Sequence, residues 1–181
     1  GFDKRPGELV IGTLAGLRAV KNLPRLVRAF AGMRENNARL IVVGEGPESE
    51  RIVAEARRCG VADRVLLPGF IADPAQVLPA FDLFALSSDS EQFPISVVEA
   101  MAAGLAVASP DVGDVAAMLA EANRSYVVPA GDEAALARAL AELADNEALR
   151  RGIGEANRTL ARADYDEALA VANDTDFGLS A

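Results

Sequence analysis

The sequence predicts an α/β domain: a doubly wound parallel sheet of about six strands with helices on both faces. Three observations point to it. Short apolar runs alternate with amphipathic stretches along most of the chain, as repeated βα units do. The runs are apolar throughout, the pattern of strands buried on both faces. The 181 residues, about half hydrophobic and a quarter charged, suit one domain with a short appendage.

The elements follow in order. LVIGTL (Leu9–Leu14) reads as the first strand. Asn22 can cap the next helix, Pro24 suits its first turn, and Leu26, Val27, Phe30 and Met33 form its apolar face. ARLIVVG (Ala38–Gly44) is a second strand, followed by a helix across Pro47–Arg58. DRVLLPGF (Asp63–Phe70) contains the third strand, Pro74–Ala80 a short helix, and DLFALSS (Asp82–Ser88) the fourth strand. Ile95–Ala103 is helical, and LAVASP (Leu105–Pro110) is the fifth strand. Asp114–Glu121 is helical, SYVVP (Ser125–Pro129) is a sixth strand at an edge, and Glu133–Ala144 and Glu147–Ala161 are two further helices. Residues 163–181 depart from the pattern and read as an appendage, a helix with Leu169, Val171 and Ala172 apolar and then a loose end. In such a fold ligands bind at the carboxyl ends of the strands, near the point where strand order reverses.

Composition limits the chemistry. With 27 acidic and 18 basic residues, the net charge is −9, unlike the basic face of a general nucleic-acid binder. A single nucleotide remains possible, because a phosphate site needs only local donors. There is no histidine, which removes Ser-His-Asp and Cys-His catalysis and the commonest zinc ligand. The single cysteine, Cys59, rules out an internal disulfide and fits a reducing compartment. No apolar run approaches a membrane span and Gly1–Glu8 lacks the apolar core of a signal peptide, so the expected location is cytoplasmic.

Carboxylates, cations and backbone amides are what remains. Gly12 and Gly16, with Arg18 and Lys21 behind them, would suit a diphosphate, the glycines admitting backbone and the bases supplying charge. Alone they read more simply as a turn with solvated bases, and they form neither a P-loop nor a G-x-G-x-x-G fingerprint. GEGP (Gly44–Pro47) is a tight turn or a ligand contact with equal weight. Gly69, Phe70 and Ile71 could frame a flat base, although Phe70 could equally be core. Glu91 and Glu99 stand eight positions apart, one before a helix start and one a turn into it. The unpaired amides at that start favour an anion, and Ser96 adds a hydroxyl. Two acids flanking an anion site can take hydroxyls on either side of a phosphate. Both could instead be solvated charges, but Val97, Val98, Met101 and Ala102 surround Glu99 and argue for a specific partner.

These residues resemble the C-terminal, nucleotide-sugar-binding domain of retaining GT-B glycosyltransferases of the group-1 type. The motifs are RAVKNLPRLVRAF, LIVVGEGPESERI, GVADRVLLPGF and DLFALSSDSEQFPISVVEAMAAGLAV, then DVGDVAAML and VVPAGDEAALARAL, in order over about residues 1–162. The resemblance implies a Rossmann-like half of a GT-B fold. It gives Lys21 the donor diphosphate, Glu91 the hydroxyls of the transferred sugar, and Glu99 the ribose hydroxyls. It sets the amides of Phe93, Pro94, Ile95 and Ser96 toward the sugar and phosphates (Pro94 has none to offer), and Gly69–Ile71 near the base. Lys21 and Glu91 become the catalytic candidates. The donor would be an NDP-sugar, UDP- or GDP-linked, with no cofactor and no metal implied.

Departures qualify this. The arginine usual in the family, aligned on Lys21, falls on Gly16, leaving Arg18 two positions away as a substitute. Ala106 stands for the proline of G-x-P-V, and Gln92 for the glycine of GFP. The family also has an N-terminal acceptor domain, and GFDK resembles the hinge that follows it. The chain is therefore expected to be inactive without such a domain in cis or trans. The rival expectation is a non-catalytic nucleotide-binding or self-associating module. A homodimer through the uncovered cleft and a membrane-peripheral full-length enzyme stand as further expectations. Asp164–Ala181 resembles a short aldehyde dehydrogenase segment that carries no chemistry.

Overall fold

The computed structural model describes residues 4–33, 37–166 and 168–169. Six strands form one sheet: β1 (Leu9–Leu14), β2 (Ala38–Val43), β3 (Val65–Gly69), β4 (Leu83–Ala85), β5 (Ala106–Pro110) and β6 (Val127–Val128). Their order is β3-β2-β1-β4-β5-β6, and every pairing is parallel. The order reverses between β1 and β4, and the crevice there is where a doubly wound sheet receives ligands. The expected sixth strand lies at an edge, reduced to two residues.

Among the described residues six α-helices cover the sheet: α1 (Leu23–Ala31), α2 (Ser49–Arg58), α3 (Ile95–Ala102), α4 (Val115–Met118), α5 (Glu133–Asp145) and α6 (Glu147–Asp164). The period-two alternation of a strand sends successive side chains to opposite faces. Leu40 and Val42 of β2 join Leu26, Phe30, Ile52, Leu136 and Leu140 in one core. Ile41 and Val43 join Val97, Val98, Met101, Met118 and Leu119 in the other. Thus α1, α2 and α5 cover one face and α3 and α4 the other, while α6 contributes Ile153 to the first core and Ala161 to the second. The Asp132 carboxylate caps α5 through the Ala135 amide, and Asn146 caps α6 through that of Leu149.

Local expectations fail where distant groups intervene. Asn22 precedes α1 but does not cap it with its side chain; its amide donates to Asp89 instead. The helix expected over Pro74–Ala80 is two short 3₁₀ turns. That over Asp114–Glu121 ends at Met118, and a 3₁₀ segment runs from Glu121 to Tyr126. A buried asparagine pair fixes this region. Asn157 of α6 donates to the Leu105 carbonyl and to Asn123, and accepts from the Ala120 amide. Asn123 in turn bonds both backbone groups of Val107 in β5.

The segment read as an appendage begins inside the fold. α6 runs through residue 162 to Asp164. The Tyr165 hydroxyl then donates to the Met118 carbonyl at 3.4 Å, and Leu169 packs on the second core. Burial pushes the Tyr165 hydroxyl above its ordinary pKa, with Asp164 and Asp114 adding to the shift. Val171 and Ala172 lie outside the described residues. No described helix is long and apolar enough to cross a membrane.

Candidate functional site

Two clefts open at the carboxyl ends of the strands and share Gly16. The first, about 330 Å³, lies between the ends of β1 and β2 and the start of α3. Gly16, Glu45, Phe70, Ile71, Ser96 and Glu99 are among its lining residues. The second, about 650 Å³, is lined by Gly16, Arg18, Val20, Lys21, Glu91, Gln92 and Phe93, with Ser90. Residues more than 80 positions apart in sequence therefore share one rim.

Backbone geometry makes the first cleft possible. Gly44 follows β2 with φ +139°, and a Cβ there would overlap the Ala15 carbonyl. A glycine lets the β2 turn cross against the loop after β1. On the far wall Phe70 is 62% exposed, too open for core. Gly69 precedes it with φ +88°, closing β3 by accepting from the Gly44 amide.

The second cleft is organised by charge. Lys21 Nζ donates to both carboxylate oxygens of Glu91, at 2.7 and 2.9 Å. Ser88 Oγ donates to Glu91 Oε1 at 2.6 Å. The Glu91 side chain is only 8% exposed, against 25% for Lys21. A carboxylate withdrawn this far needs its donors. The two loops are stitched together behind the pair. Ser87 Oγ donates to the Lys21 carbonyl, and the Asp89 amide to that of Val20. Arg25 pairs with Asp89 at 2.6 Å and donates to the Ser87 carbonyl. Arg18 is exposed and forms no ion pair among the described residues.

The helix between the clefts supplies the third ingredient. Pro94 is the residue before α3, with Ile95 and Ser96 in its first turn. By helix geometry, the first amides of α3 have no partner within it and carry partial positive charge. Glu99 lies one turn further and faces the first cleft, half-buried. Phe93 is 40% exposed and tilts against the Tyr165 ring, with centroids 5.8 Å apart.

Not every candidate reaches the clefts. Gly12 lies buried in the middle of β1, where a Cβ would overlap the Phe81 ring. It lines neither cleft, and its small size serves packing. Gly69 sets the turn rather than a wall, and Pro94 and Ile95 are likewise absent from both linings. Ser88 and Gly113 were not singled out in the sequence. Gly113 has φ +55°, and a Cβ there would overlap the Glu91 carbonyl, so its backbone supports the Glu91 loop from beneath. The Asp114 amide donates to the Gln92 carbonyl beside it. Only Gly113's place in DVGD, a glycine among turn formers, hinted at this.

The family model for glycosyl transferases group 1 matches residues 2–160. The chain belongs to this family. N-acetyl-alpha-D-glucosaminyl L-malate synthase of Bacillus anthracis is 32% identical over 152 residues, covering 83% of the chain and 40% of that protein. Among solved structures, WaaG, a glycosyltransferase involved in lipopolysaccharide biosynthesis, superposes with TM-score 0.83 at 25% identity, over 97% of the chain and 48% of WaaG. HepE of Anabaena in complex with UDP-glucose gives TM-score 0.82 at 23% identity, over 94% of the chain and 48% of its own, and shares the fold. The chain spans less than half the length of each of these proteins. This group-1 glycosyltransferase domain is thus a Rossmann-like half of the GT-B architecture. Its two clefts hold the first and second glutamates of the E-x7-E element, one in each.

Proposed function

We propose that the domain binds the nucleoside-diphosphate sugar of a retaining glycosyltransferase, with the nucleoside in the first cleft and the sugar in the second. The observation that carries this is the junction at Gly16. A ligand passing from one cleft to the other crosses the start of α3, where helix amides favour a diphosphate. Glu99 lies on the nucleoside side, where it can accept from ribose hydroxyls. Phe70 offers an exposed ring for a base. Glu91 lies on the sugar side, where it can accept from sugar hydroxyls. Lys21 and Arg18 line the second cleft and supply cations beside the α3 amides.

The chemistry follows from that arrangement. Cleavage of the sugar–phosphate bond leaves extra negative charge on the departing diphosphate. Fixed donors aimed at that charge stabilise the transition state more than the ground state, commonly the largest catalytic term. Retention of configuration is carried from the family resemblance. The UDP-glucose bound by HepE supports the ligand class. UDP is accordingly the first donor to test and GDP the second. Val20, Phe70 and Phe93 are exposed beside the clefts, which supports a covering acceptor lobe and a domain silent in transfer by itself.

The test is calorimetric titration of the chain with UDP, GDP and ADP, beside Glu99→Ala. One nucleotide should bind to the parent chain, and the variant should lose most of that affinity. Equal binding by both chains would remove the assignment of Glu99. Absence of binding at millimolar nucleotide would remove the donor-site reading for this chain.

A further inference from the structure

We propose that Glu91 competes with the donor diphosphate for Lys21, so that the domain favours a sugar-bearing nucleotide over the bare diphosphate. Ser88 acts as the positioning residue that holds Glu91 in that competition. This deepens the donor-site reading and rests on it.

The pair is built to exchange. Lys21 commits two bonds to one carboxylate. Ser88 Oγ reaches the oxygen that takes the shorter of these bonds. Ser88 is itself 1% exposed, so its hydroxyl cannot readily turn to solvent. Glu91 is therefore pinned from behind by Ser88 and from in front by Lys21. The loops carrying the partners cannot part easily, because Ser87, Asp89, Asn22 and Arg25 tie them together. What can move is the lysine, a point charge on a flexible four-carbon stem.

Two kinds of ligand then meet different sites. A bare nucleoside diphosphate offers acceptors only. To recruit Lys21 it must draw the ammonium from Glu91, which leaves a withdrawn carboxylate short of a donor beside a new anion. A sugar on the same diphosphate adds hydroxyl donors that can replace Lys21 at Glu91. The lysine is then released without stranding the acid. Arg18 needs no such exchange, since it forms no ion pair among the described residues.

The experiment is a double-mutant cycle read by titration calorimetry, with UDP, GDP and ADP as probes. Glu91→Gln keeps size and removes the charge. It should tighten the nucleotide that binds by about twofold to fivefold, the range a partly screened pair is worth. Ser88→Ala removes a donor that Glu91 keeps when Lys21 leaves, so it should shift affinity in the opposite direction, and Ser88→Thr, which keeps the hydroxyl, should restore the parent value. In a Lys21→Ala background Glu91→Gln should give no gain. A gain that persists there marks general charge removal and overturns the exchange. So does a Glu91→Gln chain that binds no better than the parent, with the donor-site reading left standing. If no chain binds any of the three nucleotides, the donor-site reading falls and the exchange falls with it.

Discussion

Replacing Gly113, which lines neither cleft, with alanine should disable the second cleft. Two costs add. The residue sits at φ +55°, in the left-handed region that costs a residue with a Cβ roughly 1–2 kcal/mol. The added methyl also overlaps the Glu91 carbonyl and crowds that of Gln92, and overpacking of this kind costs about 1–3 kcal/mol. The sum is about 2–5 kcal/mol, which lowers Tm by roughly 4–20 °C for a chain of this size. Gly131 supplies the control: its φ is +81°, but nothing stands within 4 Å of a Cβ built there. Gly131→Ala should therefore show only the conformational cost, about 1–2 kcal/mol. Urea unfolding of both variants isolates the contact term as a shift in midpoint at constant slope. Titration with UDP-glucose should then show about tenfold weaker binding for Gly113→Ala alone, since a displaced loop carries Glu91 away from the hydroxyls it would accept from. Equal stability and equal affinity for the two variants would refute the claim that Gly113 supports the loop.

Three further outcomes follow. Asn157→Ala strips partners from the Leu105 carbonyl, the Ala120 amide and Asn123, so it should cost about 2–4 kcal/mol in urea unfolding; a loss under about 1 kcal/mol would show that the pair is dispensable. Gly12→Ala should lower stability by about 1–3 kcal/mol through overlap with Phe81, while the folded fraction keeps the parent's UDP affinity; weaker binding would return Gly12 to the site. Glu55 is held down to a pKa of about 2, by its bonds to Arg58 first and Arg28 second, against a desolvation that raises it. A depressed carboxylate stabilises above its unfolded pKa and loses that contribution as pH falls toward the folded one. Glu55→Gln should therefore flatten the fall in stability between about pH 5 and pH 2, and an unchanged acid-unfolding profile would remove the role.

The sequence revealed most where one local signal sufficed. Apolar runs placed all six strands, because strands buried on both faces leave little room for polar residues. Part of the rim of the two clefts was readable too: Lys21, Phe70 and Glu91 stand where a strand or turn ends before a helix, and Glu99 stands one turn into α3. What escaped depends on partners that meet only in the assembled fold. Gly12 looks like a phosphate-loop glycine until Phe81 is packed against it. Asn22 looks like a cap until Asp89, 67 positions away, takes its amide. Ser88 looks like an ordinary strand-end serine until Glu91 turns back to meet it. Asn123 and Asn157 are unremarkable polar residues until folding buries both. For Asn22, Asn123 and Asn157 the choice is between local and tertiary hydrogen bonding, for Gly12 it is packing and for Ser88 the path of the loop, and only the assembled fold decides them.

The acidity of the chain gains meaning from the same site. A net charge of −9 should discourage an anionic ligand, and Arg25 and Lys21 near the second cleft are already paired. Arg25 is paired with Asp89 and Lys21 with Glu91. Left for a diphosphate are Arg18 and the start of α3, whose aligned peptides act as about half a positive charge. On this reading the full cationic strength of the site becomes available only to a ligand whose hydroxyls satisfy Glu91 and so free Lys21. The acid that weakens the field thereby sets the selectivity. A domain with more unpaired bases would bind the bare diphosphate better and distinguish the sugar-bearing donor from it less.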